Sequence, residues 1–83
     1  KPHGGSMRPR VISGARVTLE PVTAATELEV DDIVLVRCHG NVYLHLVKAI
    51  QGPRYQIGNN RGGINGWVGR TAIYGRAVRI ENP

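Results

Sequence analysis

The sequence predicts an all-β domain, a small coiled and partly open β barrel. Eleven Gly and five Pro among 83 residues, with no Phe, divide the chain into short elements joined by tight turns. Apolar and β-branched residues fall in strand-length runs, some alternating with polar residues and some continuous. Residues 23–29 are the one stretch that tolerates a helix, for about two turns at most, and an irregular loop fits them equally.

Taken in order, residues 1–14 hold three Gly and two Pro around Val11-Ile12, which predicts an exposed loop feeding a short strand. Arg16-Val17-Thr18-Leu19-Glu20 alternates as a half-buried strand does, and Pro21 ends it. Asp32 to Cys38 and Val42 to Ile50 are two apolar runs separated by His39-Gly40-Asn41, a hairpin by its turn chemistry. Gln51-Gly52-Pro53 turns the chain into Arg54-Tyr55-Gln56-Ile57, which alternates again. Four Gly and three Asn in residues 58–66 predict a loop. Trp67-Val68, Ala72-Ile73-Tyr74 and Arg76 to Ile80 supply the closing strands. The chain is too short for a second core, so residues 1–83 form one domain.

Eleven basic residues, nine of them Arg, stand against six acidic ones, giving a net charge of +5. A pI near 10.2 suits nucleic acid, an anionic membrane surface or an acidic protein as partner. The basic residues are dispersed, with no run of three, which describes a general cationic surface. Cys38 is the single cysteine, so the chain has no internal disulfide, as expected of a reducing, cytoplasmic setting. No stretch approaches the roughly 18 to 20 apolar residues of a membrane span, so a soluble protein is expected. The opening residues Lys1-Pro2-His3 are expected to continue from a preceding segment. The oligomeric state is not legible.

The chemistry begins at Ser6, which Gly5 and Pro9 place on a tight, exposed loop. A nucleophilic Ser needs access, a base for its proton and amide donors for the oxyanion. Beside Gly, a Ser is also an ordinary turn residue. His45 shares a strand face with Tyr43 and Val47 and is the natural proton acceptor at neutral pH; its alternative is a half-buried strand His bonded to a neighbour. Lys48 is the alternative base, and three positions on it points to the opposite face, so only one of the two can face Ser6.

These residues resemble the S24/S26 serine peptidases, the LexA-like and signal-peptidase-like family. The resemblance is carried by Gly4-Gly5-Ser6-Met7-Arg8-Pro9, Asp32-Ile33-Val34, Tyr43-Leu44-His45-Leu46-Val47, Gly58-Asn59-Asn60 and Ile73-Tyr74-Gly75-Arg76-Ala77-Val78. It implies a barrel of the LexA/signal-peptidase type, Ser6 as nucleophile and His45, 39 residues later, as general base. It further implies an oxyanion hole of backbone amides around Gly5 and Ser6, with Met7 packed beneath the loop. Asn59 and Asn60 stand where the His-bearing branch has an Asp that orients the imidazole, and Asp31 replaces a family Gly before Asp32. Asp32 reads either as a strand-entry cap or as an orienting group. No cofactor is implied, and the substrate is a protein or peptide in extended conformation.

Other constellations carry less. Cys38 and His39 are adjacent and point to opposite strand faces, a poor dyad. His3, His39 and His45 lack metal-ligand spacing, and no metal is expected. The Gly-rich segment 58–66 has no Gly-Lys-Ser/Thr and precedes no helix, so it is not a phosphate loop. Three functions remain open: a serine endopeptidase with a Ser/His dyad, a peptidase-fold module that binds peptides without cleaving them, and a cationic barrel that binds nucleic acid through Arg61, Trp67 and Arg70.

Overall fold

A computed structural model describes residues 7–83, and every statement of structure below concerns those residues. Six strands form one antiparallel sheet: β1 (Arg16–Pro21), β2 (Ile33–Cys38), β3 (Asn41–Gln51), β4 (Arg54–Gly58), β5 (Ile64–Gly69) and β6 (Ile73–Glu81). Their spatial order is β1-β6-β2-β3-β4-β5, so β6 crosses from the end of the meander to lie between β1 and β2. The edge strands β1 and β5 do not pair, and the sheet is therefore open rather than closed into a barrel. It is all-β as expected, with one 3-10 turn at Arg70–Ala72 as its sole helical element.

Local chemistry sets the two tightest hairpins. Cys38 pairs with Asn41, leaving a two-residue connection of His39 (φ 51°) and Gly40 (φ 82°). Two positive φ angles are what a type I′ turn demands, and this turn matches the twist of the flanking strands. Asn41 thus belongs to β3, one residue earlier than the sequence predicts. The β3–β4 turn uses Gly52 (φ 58°) before Pro53, in the order of a type II′ turn.

The sheet has a core on each face. Val34, Val36 and Cys38 of β2 join Val47, Tyr55, Ile57, Val68 and Ile73 in one cluster. Ile33 and Leu46 meet Met7, Val11 and Ala15 in the other, with Val17, Leu44, Ala77 and Ile80 at its border. Period-2 alternation along β2 and β3 produces this division, because directly opposed residues share a face. Residues 7–14 are turns and loop that cover the second face, and the short strand expected around Val11-Ile12 is absent; Val11 is buried there as a plug.

Residues 22–32 form an irregular loop rather than the short helix that was the other expectation. Thr23 and Thr26 explain it, since the Thr23 amide donates to Thr26 Oγ1 at 2.9 Å and the Ala25 amide to Thr23 Oγ1 at 3.2 Å. Such side-chain bonds offer the backbone an alternative to a helical ladder. The predicted loop over 58–66 contracts to residues 59–63, because Ile64-Asn65-Gly66 opens β5. The last two expected strands are one, β6.

Candidate functional site

Ser6 and Gly5, the expected nucleophile and oxyanion-hole residues, lie outside the described residues. The segment that follows them is well anchored. Met7 is 5% exposed and packs with Ile33 and Leu46 as a core residue; the Ser6 loop it is expected to support lies outside the described residues. The Arg8 carbonyl accepts a hydrogen bond from Asn60 Nδ2 at 3.0 Å. The loop bearing Asn59 and Asn60 is thereby tied to the segment next to Ser6.

His45 lies on β3 opposite Val34 and is buried. Its ring stacks on Tyr43 with centroids 4.7 Å apart, and Nδ1 lies 2.7 Å from the Leu44 carbonyl oxygen. A carbonyl only accepts, so this bond makes Nδ1 the protonated nitrogen and leaves the lone pair on Nε2. The family resemblance assigns the orienting role to Asn59, Asn60 or Asp32. None of them bonds the imidazole among the described residues; a backbone carbonyl does so instead. No side-chain pattern signals that role.

The three expected orienting groups are engaged elsewhere. Asn59 Oδ1 accepts from the Arg61 and Gly63 amides at 2.8 and 2.9 Å, and the Asn59 amide donates to the Gly63 carbonyl at 2.9 Å. Asn59 therefore closes its own loop. Asn60 holds Arg8. Asp32 Oδ2 accepts from the Glu29 amide at 2.8 Å and lies 3.8 Å from Arg76 Nη1, so its carboxylate fastens the loop that enters β2.

Lys48 occupies the other face, as the spacing predicts. It falls in the register shift between Val47 and Ala49, and its Cγ lies beside Gly58, the residue opposed to Leu46. Its Nζ donates to the Asn59 carbonyl at 3.2 Å. Lys48, Leu46 and Met7 thus share one face, while His45 and Tyr43 share the opposite one with Val34 and Val36. Beyond Leu46, residues Val42 to His45 pair with β2 alone among the described strands, because β4 departs at Gly58.

Of the other candidates, Cys38 is a buried free thiol in the core and His39 sits in an exposed turn, so they form no dyad. Among the described residues no three His, Cys, Asp or Glu side chains gather as a metal site would need. Arg70 Nη2 donates to the Thr26 carbonyl, and the Arg70 guanidinium lies 5.9 Å from the Tyr55 ring centre. Arg70 is thus engaged within the chain, while Arg61 and Trp67, the other two residues read as a nucleic-acid contact, are exposed. No helix of the described residues is long and apolar enough to cross a membrane. Neither protein-family models, curated proteins nor solved structures yield a match to this chain.

Proposed function

We propose that the chain is a serine peptidase domain of the S24/S26 type, with Ser6 as nucleophile and His45 as general base. The observation that carries this is the imidazole itself: buried, stacked on Tyr43 and held through Nδ1 by the Leu44 carbonyl, with Nε2 left as the proton acceptor. A second support is Asp31, which stands where the family pattern has Gly and holds φ at 79°. That backbone angle is one glycine adopts freely. The LexA/signal-peptidase barrel type belongs to this proposal, as does a cytoplasmic setting, with which the reduced, buried Cys38 is consistent.

In this mechanism Ser6 Oγ attacks the scissile carbonyl while its proton passes to His45 Nε2. Amides around Gly5 and Ser6 receive the oxyanion. Collapse expels the amine, which takes the proton from His45, and water then hydrolyses the acyl ester by the same route. A carbonyl fixes the tautomer yet stabilises the imidazolium less than a carboxylate does, so turnover is slow. The side of β3 left open at Val42 to Leu44 offers backbone groups to an extended substrate.

Labelling with a fluorophosphonate, read by intact mass, tests the proposal. The wild type takes up one adduct, Ser6→Ala and His45→Ala take up none, and Lys48→Ala still reacts. Loss in Lys48→Ala with retention in His45→Ala moves the base to Lys48. No adduct in any variant overturns hydrolysis.

A non-hydrolytic peptide-binding domain is the second reading. It is favoured by Met7 packing on the face opposite to that of His45. Extended peptides bound equally by wild type and His45→Ala, without cleavage, establish it.

A further inference from the structure

We infer that the edge strand β5 is a second binding site, one that takes an acidic peptide in extended conformation as an added strand. The inference is independent of Ser6 and His45 and rests on the other end of the sheet. The two edges of this sheet differ in chemistry. β1 (Arg16–Pro21) carries Arg16, Glu20 and Pro21, residues that discourage a further strand. β5 reads Ile-Asn-Gly-Trp-Val-Gly, with neither a charge nor a proline. Among the described residues its backbone pairs with β4 alone.

The face that β5 shows to solvent follows from register. Gly58 opposes Ile64, Gln56 opposes Trp67 and Arg54 opposes Gly69, so these six residues share one face. Ile64 is 53% exposed and Trp67 38%, whereas Val68 and Tyr55 point to the buried side. Ile64 lies beside Lys48, since a Cβ on Gly58 would meet Ile64 Cδ1 at 3.1 Å and Lys48 Cγ at 2.9 Å. An incoming strand would therefore lay alternate side chains over Ile64 and Trp67.

Charge selects the occupant. Between Asp32 and Glu81 the sequence holds seven basic residues and no acidic one. Lys48 and Arg70 bond carbonyls of this chain, which leaves exposed Arg54 and Arg61 at the two ends of β5. A second copy is disfavoured by the same pair. Antiparallel pairing of β5 with its symmetry mate sets the Arg54 end of each strand against the Arg61 end of the other, like charge against like. Single-stranded nucleic acid fits less well, because Trp67 is the one aromatic residue on this face and base stacking uses successive platforms. A peptide of about six residues, apolar at alternate positions and acidic near both ends, matches the length and the charges.

Trp67 is the sole tryptophan of the chain, so its fluorescence reports the site directly. The probes are two eight-residue peptides with one alternating Val/Thr core, flanked by Glu in one and by Lys in the other. The Glu peptide is expected to shift Trp67 emission and to bind at least about tenfold tighter than the Lys peptide, equivalent to about 1.4 kcal/mol. Alternate N-methylation of the Glu peptide, which removes its ladder donors, is expected to abolish binding. Arg54→Glu with Arg61→Glu reverses the preference, and because both side chains are exposed this variant folds. Ser6→Ala binds as the wild type does, which separates this site from the proposed peptidase centre. Equal affinity for both peptides, undiminished binding of the N-methylated peptide, or a response to an oligothymidine but to neither peptide overturns the inference. So does a concentration-dependent dimer that itself shifts Trp67 emission.

Discussion

Asp31 holds its backbone at φ 79°, in the left-handed region, and its amide donates to the Val47 carbonyl at 2.8 Å. An L side chain there costs roughly 1–2 kcal/mol, and a β-branched one fares worse. Asp31→Val is therefore expected to lower stability by about 1–2 kcal/mol in urea unfolding. Asp31→Gly relieves that strain but gives back roughly 0.5–1 kcal/mol to the freer unfolded chain, so it should fall within about 0.5 kcal/mol of the wild type. Gly58 presents a steric constraint instead. A Cβ there would collide with the Gly63 carbonyl, which the Asn59 amide holds, and with Lys48 Cγ. Gly58→Ala is expected to cost about 1–3 kcal/mol, whereas Gly69→Ala, with nothing within 4 Å, should cost about 0.5 or less. The sequence could not separate these two glycines, because the atoms that decide are brought together only when the 59–63 loop closes. The same limit hid the partner of His45. The side-chain pattern points to Asn59, Asn60 and Asp32 as orienting groups, and a main-chain carbonyl leaves no trace in that pattern.

At the scale of elements, what could be read was what is local. The β2–β3 hairpin follows from two apolar runs and a Gly-containing connection, all within residues 32–50. β5 was half missed, since Ile64-Asn65-Gly66 has one β-branched residue in three and holds its place through pairing with β4 across a register shift. The two-faced core was not legible, because β2 and β3 read as continuous apolar runs. Alternation along β3 gave only the placing of His45 with Val47 and opposite Lys48, and the structure adds Leu46 to a second core. That division predicts a coupling. Leu46 is 1% exposed and packs with Met7 and Ile33, so Leu46→Ala should lose about 2–5 kcal/mol. Met7→Ala removes part of the same packing. The double variant is then expected to lose less than the sum of the single losses, measured as urea midpoints at constant slope. Strict additivity would mean that Met7 does not rest on Leu46.

At the scale of the whole molecule, the open sheet leaves residues 22–32 spanning from β1 to β2 with no ladder of their own, and two arginines from the far end of the chain fasten them. Arg70 donates to the Thr26 carbonyl and Arg76 Nη1 to the Glu27 carbonyl at 2.7 Å, across 44 and 49 positions. Arg76 also pairs with Glu20 and faces Asp32. Contacts of such separation have no local signature, which is why the loop's path was open between helix and coil in the sequence. The hydrogen bond to Glu20 raises Arg76 above its ordinary value, and the charges of Glu20, Asp32 and Glu29 act in the same direction. For a raised basic group the stabilisation is present below the ordinary value and is lost only as pH climbs through the raised one, far above the neutral range. Arg76 should thus hold the loop without change between about pH 6 and about pH 9. A glutamate-specific protease supplies the measurement, since Glu27 and Glu29 are exposed in this loop. The wild type is expected to resist cleavage there equally across that range, while Arg76→Ala is cut several-fold faster with its strand core intact by amide exchange. Arg76→Lys, which keeps the charge but loses the planar fork that reaches Glu20 and the Glu27 carbonyl together, should behave as the Ala variant does. Protection by Lys equal to that by Arg would reduce the clamp to simple charge attraction.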